Sequence, residues 1–598
     1  MKPPPRPRSE RPDHLGFTPQ PMVQWLAPGE LLSAAMRVVL SGVFGAYADK
    51  RELQGVWPVE DIPDYAARSE LWLDYVADVA DGFDATMTVA SVLARPDLVV
   101  PEPPDHQPRR GLAKPGVPRS QSSTALELPR GDLLVMGGDQ VYPTADYPTY
   151  RDRLIGPYRA ALPDGGARPP DLYAIPGNHD WYDGLTSFIR VFCQGAQIGG
   201  WRTRQDRSYF AIRLPHGWWL WGIDTQFDSY LDPAQLHYFR DVVGAGLQEG
   251  DSVILCQAEP SWVKASLGEP NAYEHVDFVQ REIVEPRGAQ VRMALAGDHH
   301  HYARYQADDG RQLITAGGGG AYLAATHHLP EQVHVPPKRA TDIDKSQPTT
   351  YGLERTYPSR RQSRSLRAGV LKLPFKNGSF WAVVGVTYVV LGWSVLLGLR
   401  ASGQGMDDLL ASLQWDDLLS GLYLRPLGFL LTVLLVLGLV AFNGAPGPKR
   451  RWGFGISHVI AHEVLILATI LGLSRLLDGL SGGLYVLAVM VGLGVVGSLL
   501  GSWLVALYLL VADRFSMNTN ELFAAQHIEG FNNFLRMHID QDGALTLYPV
   551  GIERAATWKF QPEGRPEDPW FEPRGPAPEA RLIERPVRLE RLPEPEDR

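Results

Sequence analysis

Cysteine is nearly absent: the 598 residues hold two, Cys193 and Cys256. A disulfide framework and a cysteine-rich zinc module are excluded by that count. A basic surplus is missing as well. Lys+Arg number 57 against 67 Asp+Glu, a net charge of −10, so nucleic acid is not an expected partner, because displacing counterions from a phosphate backbone needs excess positive charge. Glycine and proline, at 60 and 49 residues, stay below the roughly 25–30% that marks low-complexity sequence. The opening MKPPPRPRSERPDH lacks the apolar core of a secretory signal. It is basic and Pro-rich and is expected to be a disordered start. A mean hydropathy of −0.15 excludes a chain that lives mostly in lipid, but such an average also hides a chain divided between water and membrane.

Long apolar runs are confined to the last third. GSFWAVVGVTYVVLGWSVLLGL (378–399), PLGFLLTVLLVLGLVAF (426–442), GFGISHVIAHEVLILATILGL (453–473) and LYVLAVMVGLGVVGSLLGSWLVALYLLV (484–511) each approach or exceed the ~20 residues a span needs, which predicts four transmembrane helices. The segment before the first run carries Arg355, Arg360, Arg361, Arg364, Arg367, Lys372 and Lys376, and the loop after the second carries Lys449, Arg450 and Arg451. The intervening loop carries Asp407, Asp408, Asp416 and Asp417. The bias of basic residues predicts a multi-pass integral membrane protein with its soluble part and both termini in the cytoplasm. His458, His462 and Glu463 lie at helical spacing in the third run and are expected to make polar contacts between helices.

Residues 66–335 alternate strand-like apolar runs with helical stretches, the pattern of an α/β domain. Around it we expect a disordered and amphipathic N-terminal segment (1–65), a basic juxtamembrane linker (336–377), the membrane helices (378–512), and a small C-terminal extension with a disordered end (513–598). A Pro-, Arg- and Ser-rich stretch at 96–130 reads as a surface insertion. Four segments follow apolar strands with clustered Asp, Asn or His: DVAD (78–81), GGDQVYP (137–143), PGNHDWYDG (176–184) and AGDHHHYAR (296–304). Asp81 and Asp84 are expected to cap the following helix.

In that order the four segments resemble the calcineurin-like metallophosphoesterases, and more closely their purple acid phosphatase branch. The resemblance covers roughly residues 70–330 and implies a four-layer α/β/β/α sandwich with a dinuclear metal centre at the strand ends. Asp78 lacks the histidine two residues on that many relatives have, as the purple acid phosphatases also do, and Tyr142 stands where that branch has a tyrosine three residues after the bridging Asp139. Its final motif, Gly-His-x-His-x-Tyr-x-Arg, aligns with Gly297 to Arg304, with Asp298 replacing the first histidine. The remaining ligand histidine is missing; Glu259 in CQAEPSW is the expected substitute, with Gln257 the alternative. One metal is then expected on Asp78, Asp139, Tyr142 and His300, and the other on Asp139, Asn178, Asp298 and Glu259.

Oxygen-rich donors with a phenolate favour iron, manganese or both, with zinc or magnesium as alternatives. The expected reaction is hydrolysis of a phosphate ester, with a metal-activated hydroxide attacking in line and His179 as acid or transition-state stabiliser. Asp180 is expected to orient His179, and His299, His301 and Arg304 to contact the substrate, with His327 and His328 near the mouth. Monoester or diester, and protein, nucleotide or lipid substrate, stay open; membrane attachment adds slight weight to a lipid-linked or membrane-associated phosphoester. The competing expectation is a non-catalytic regulatory domain that binds metal or phosphate.

Overall fold

The structure, a computed structural model, describes residues 6–30, 54, 61–101, 125–225, 231–337, 347–400, 404–445 and 447–592. They fall into two compact units. One comprises Met1–Val23, Arg37–Ser363 and Glu529–Arg598; the other comprises Gln24–Met36 and Arg364–Ile528.

The first unit is mixed α/β and contains a nine-stranded and an eight-stranded sheet. The centre of the first sheet is parallel: Leu71–Val76 pairs with Leu133–Met136, which pairs with Asp171–Ala174. The centre of the second is parallel too, through Trp218–Gly222, Ser252–Cys256, Gln290–Ala296 and Gln312–Ala316. Parallel neighbours require crossover connections, and here helices such as Phe83–Leu93, Gly156–Ala161 and Ser261–Ser266 supply them. Side chains of a strand alternate between faces. Leu133 and Val135 therefore enter a core shared with Ile254, Met293, Leu295 and Ile314 of the other sheet. Leu134 and Met136 enter a second core with Met87, Leu154, Phe188 and Phe192 from helices. The eight-stranded sheet repeats the pattern: Val253, Leu255 and Ala294 face Phe239, Trp262, Val276 and Ile283. All the parallel strands thus bury both faces, which accounts for their unbroken apolar runs.

Three expectations are corrected here. The C-terminal segment is no appendage to the membrane helices. Asn532–Ile539 pairs antiparallel with Leu71–Val76, Leu545–Ile552 pairs with it in turn, and Ala580–Leu582 and Val587–Leu589 extend the sheet. The described part of its Pro-, Arg- and Glu-rich end is ordered, because buried Trp570, Phe571, Leu582, Ile583 and Leu589 anchor it. The start is also ordered from residue 6. Leu15 and Phe17 are buried, and the Arg6 guanidinium donates to the carbonyls of Gln561, Arg565, Asp568 and Pro569. Most of the predicted amphipathic N-terminal helix, and residues 102–124 of the insertion, lie outside the described residues. The insertion's flanks, Asp97–Pro101 and Ala125–Pro129, pair as a two-stranded sheet.

Among the described residues of the second unit, three helices are long and apolar enough to cross a membrane: Gly378–Leu399, Pro448–Leu476 and Gly482–Asp513. The predicted second span is shorter. Pro426–Phe442 has 17 residues and is bent by 74° from Trp415–Tyr423, so the count reaches four only if that pair is taken as one broken span. Pro426 explains the break, since proline fits the first turn of a helix and disfavours helical backbone in the residue before it. Small residues bring these helices together. A Cβ on Gly497 would lie 2.5 Å from Tyr388, and one on Gly385 would lie 2.1 Å from Ser498. The polar residues of the third run do contact other helices. His462 Nδ1 lies 2.7 Å from the Tyr388 hydroxyl, and Glu463 accepts from Tyr423 and Thr432 at 2.8 Å each.

Candidate metal centre

The carboxyl ends of the parallel strands from both sheets converge. Asp78 lies two residues past Leu71–Val76, Asp139 three past Leu133–Met136, and Asp298 two past Gln290–Ala296. All three adopt positive φ, at 56°, 51° and 61°, a conformation in which short polar side chains are enriched among non-glycine residues. The loops are stitched together by the Asp78 N–H donating to Gly138 O and the Val79 N–H to Asp139 O, each at 3.1 Å. Glycines allow the close approach. A Cβ on Gly317 would lie 2.2 Å from Asp78 Oδ2, and one on Gly177 would lie 2.1 Å from Asp139 Oδ1.

The Tyr142 hydroxyl sits at the centre. It lies 3.0 Å from Asp78 Oδ1, 3.2 Å from Asp139 Oδ2 and 3.1 Å from His300 Nε2. The His300 Nδ1–H donates to the Tyr322 carbonyl at 2.9 Å, a pairing that assigns the lone pair to Nε2. One phenolic proton therefore faces three acceptors. Neighbouring donors on an ion with bonds of about 2.1 Å sit about 3.0 Å apart, close to the spacings here. Asp78 Oδ2 and Asn178 Oδ1 are buried without a hydrogen-bond partner, as atoms awaiting a cation would be. Burial and the charges of Asp139 and Asp298 hold the Asp78 carboxyl well above the usual range, and burial with Asp180 and Asp298 does the same to Asp139. Burial depresses His300 to about 4, so its imidazole is neutral and able to ligate. The residues fit one multivalent ion held by Asp78, Asp139, Tyr142 and His300.

The second predicted set is differently arranged. Asp139 Oδ1 accepts the His179 N–H at 2.9 Å, which places Asn178 beside it, and the Asp298 N–H donates to Asp78 Oδ1 at 3.1 Å. Glu259, however, is hydrogen-bonded to the ammonium of Lys264, which also lies 3.7 Å from Asp298 Oδ2. Burial opposes a charge on Lys264, but Asp298 and Glu259 outweigh it and raise its pKa. Asp298 is held below the usual range, against its burial, by Lys264 and the neighbouring histidines. Sequence reasoning missed Lys264. The available signal was a cation five residues after Glu259 on the short helix Ser261–Ser266.

Other predicted roles are corrected. Asp180 anchors the turn rather than the His179 ring: it accepts from Gly177 N at 2.8 Å, from Gln140 N at 3.3 Å and from the Tyr150 hydroxyl. Burial raises it to about 7. His179 Nδ1 instead lies 3.1 Å from the Pro143 carbonyl, and its ring packs on Tyr142 and Tyr182. Arg304 is committed to a structural ion pair. Its guanidinium makes a two-point pair with Glu584, at 2.8 Å for each bond, and Tyr302 donates to the same carboxylate at 2.6 Å. His301 is 2% exposed and held neutral by burial, so it belongs to the core. His299 remains partly open, 3.9 Å from Asp298. His327 is buried against the Ser363 hydroxyl at 2.8 Å. Asp81 does not cap Phe83–Leu93; it accepts the backbone N–H groups of Val23 and Tyr322.

No protein-family model and no curated protein matches the chain. Among solved structures, "GAP50 the anchor in the inner membrane complex of Plasmodium" is similar at 11% identity and a TM-score of 0.30, over 50% of this chain and 95% of that one. The purple acid phosphatase PPD1 from yellow lupin (Lupinus luteus) seeds is similar at 13% identity and a TM-score of 0.27, over 47% of this chain and 49% of that one. A structure of PhoD is similar at 10% identity and a TM-score of 0.25, over 50% and 70% of the two chains.

Proposed function

We propose that the chain is a membrane-attached, metal-dependent phosphoesterase of the metallophosphoesterase type, its two sheets and flanking helices forming the four-layer sandwich. The observation that carries this reading is the Tyr142 hydroxyl ringed by Asp78, Asp139 and the bare nitrogen of His300. Buried anionic donors at that spacing call for a multivalent ion. Iron or manganese suits the phenol and carboxylates best. A bound ion supplies Lewis acidity towards a phosphoryl oxygen and an acidified water.

The chain's own residues do the rest. The Pro143 carbonyl fixes the His179 tautomer with the proton on Nδ1, and protonated at Nε2 the ring delivers a proton to the leaving oxygen. Effects of this kind are typically worth ~10²–10⁴ in rate. Asp180 holds the Gly177-to-His179 turn in place, and His299 contacts the phosphoryl group. The basic residues flanking the apolar helices support a cytoplasmic side for this unit, where a lipid-linked or membrane-protein phosphoester is within reach.

The test is turnover of aryl phosphate mono- and diesters by the full-length protein in detergent, loaded with manganese or iron, beside Asp139→Asn. Loss of at least about 10³-fold in kcat/KM is expected of the variant, equivalent to ~4 kcal/mol of transition-state stabilisation. A second reading, a non-catalytic binding domain, is favoured by the pairing of Glu259 with Lys264. It predicts ion binding without turnover of any ester in the wild-type protein, and that result refutes the enzyme.

A further inference from the structure

Resting on the metal-dependent reading of the same site, we infer that Lys264 takes the place of the second metal, so that the chain holds one multivalent ion with a lysine ammonium beside it. Both donors that would complete a second position are already bound to this one cation: Glu259 through a hydrogen bond and Asp298 at 3.7 Å. The two positions are coupled changes. Each would carry a neutral imidazole in the pattern the sequence resembles, and each carries a carboxylate here. Two carboxylates hold an ammonium well, whereas two imidazoles hold none.

The lysine is also placed to stay. Its backbone belongs to Ser261–Ser266, which begins two residues after Glu259. Its carbonyl accepts from Leu267 N at 3.0 Å and Glu269 N at 3.1 Å, which fixes the end of that helix. Its side chain is only 28% exposed. An incoming ion would have to displace a tethered, mostly buried cation from both carboxylates, and leaving that ammonium unpaired is strongly unfavourable. The first position has no such competitor: Asp78 Oδ2 is buried and unpaired among the described residues. An ammonium next to a Lewis-acidic ion keeps the chemistry of a phosphoester site, because it neutralises charge on a transferring phosphoryl group by the same electrostatics as a second ion.

Metal stoichiometry separates the possibilities. Full-length protein in detergent is stripped with chelator, reloaded with Mn²⁺, desalted and quantified per chain, with the EPR spectrum of the bound manganese recorded. One ion with an uncoupled six-line spectrum is expected in the wild type. Two ions with a spin-coupled spectrum are expected in Lys264→Met, where Glu259 and Asp298 are released. Asp298→Asn, which leaves the fold's apolar cores untouched, is expected to keep one ion. Two ions in the wild type, falling to one in Asp298→Asn, overturn the inference and leave the phosphoesterase reading standing. One ion in both the wild type and a folded Lys264→Met overturns the role of the lysine. No bound ion in any of them overturns the phosphoesterase reading itself.

Discussion

Replacing Arg536 with methionine should destabilise the sheet whose strand end leads to Asp78. Arg536 comes from the C-terminal strand Asn532–Ile539 and is directly opposite Asp74 in register. Its guanidinium is fully buried and grips the carboxylate at two points, 2.7 Å and 3.0 Å, while donating to Leu128 O at 2.9 Å. Methionine fills much of the volume but leaves Asp74, 3% exposed, as a buried charge whose partner is gone. Removing one member of such a pair typically destabilises by about 3–5 kcal/mol. At roughly 2–4 °C per kcal/mol for a large domain, the melting temperature should fall by on the order of 10 °C.

The double variant Arg536→Met/Asp74→Leu removes both charges and should recover most of the loss. It should not recover all of it, because the Gly131 N–H now bonded to Asp74 at 3.1 Å is left unsatisfied, at about 1–3 kcal/mol for such a group. Thermal unfolding of the full-length protein in detergent, followed by near-UV circular dichroism, measures each step. A single variant that melts within about 2 °C of the wild type, or a double variant no better than the single, refutes the pairing of Asn532–Ile539 with Leu71–Val76.

Two further outcomes follow from the same electrostatics. Asp78 and Asp139 sit well above the usual carboxylate range, and Asp180 is raised from 3.8 to about 7. A raised folded value favours the protonated native state, so this stability is present at low pH and is lost as pH rises through the folded value. Chelator-treated protein should therefore melt progressively lower from pH 6.5 to 8.5, and ion-loaded protein should not. Below pH 6.5 the depressed imidazoles of His299, His300 and His301 act in the opposite direction, so a melting temperature that rises with pH above 6.5 in ion-free protein refutes the assignment. Arg304→Met should lower stability by roughly 3 kcal/mol, because Glu584 loses its partner, and should leave KM for an aryl phosphate unchanged; a several-fold rise in KM with an unchanged melting temperature would restore its predicted substrate role.

The core strands were legible because their chemistry is local. Runs such as LLVMGGD and VRMALAGD combine continuous burial with glycine and a ligand residue at the carboxyl end, and those strands occupy sheet centres. The candidate donors were legible for the same reason, since each immediately follows such a run. What escaped was non-local. Nothing near Asn532–Ile539 announces a pairing with Leu71–Val76, because the partner of an antiparallel strand leaves no trace in the strand's own periodicity. Arg304 matched a motif by position, yet its function is decided by Glu584, which lies 280 residues away in the chain. The second apolar run satisfied a composition test but not a length test, and Pro426 bends the backbone where a continuous span was expected.

Lys264 belongs to the same class of omission and shows why a ligand set cannot be transferred position by position. Exchanging two neutral donors for Asp298 and Glu259 adds two negative charges to a pocket that already holds Asp78 and Asp139. Buried carboxylates in that number stay charged only with compensating cations and otherwise take up protons. One positive charge arrives with the chain itself, on a helix that starts beside Glu259, and in the proposed site a bound ion supplies the rest, in place of protons. On the proposed reading, the substitutions keep a multivalent-ion position at Asp78, Asp139, Tyr142 and His300 while altering what stands beside it. A departure from the ligand pattern, taken with the cation that accompanies it, is a change in how the site is charged and not a sign that the site has been lost.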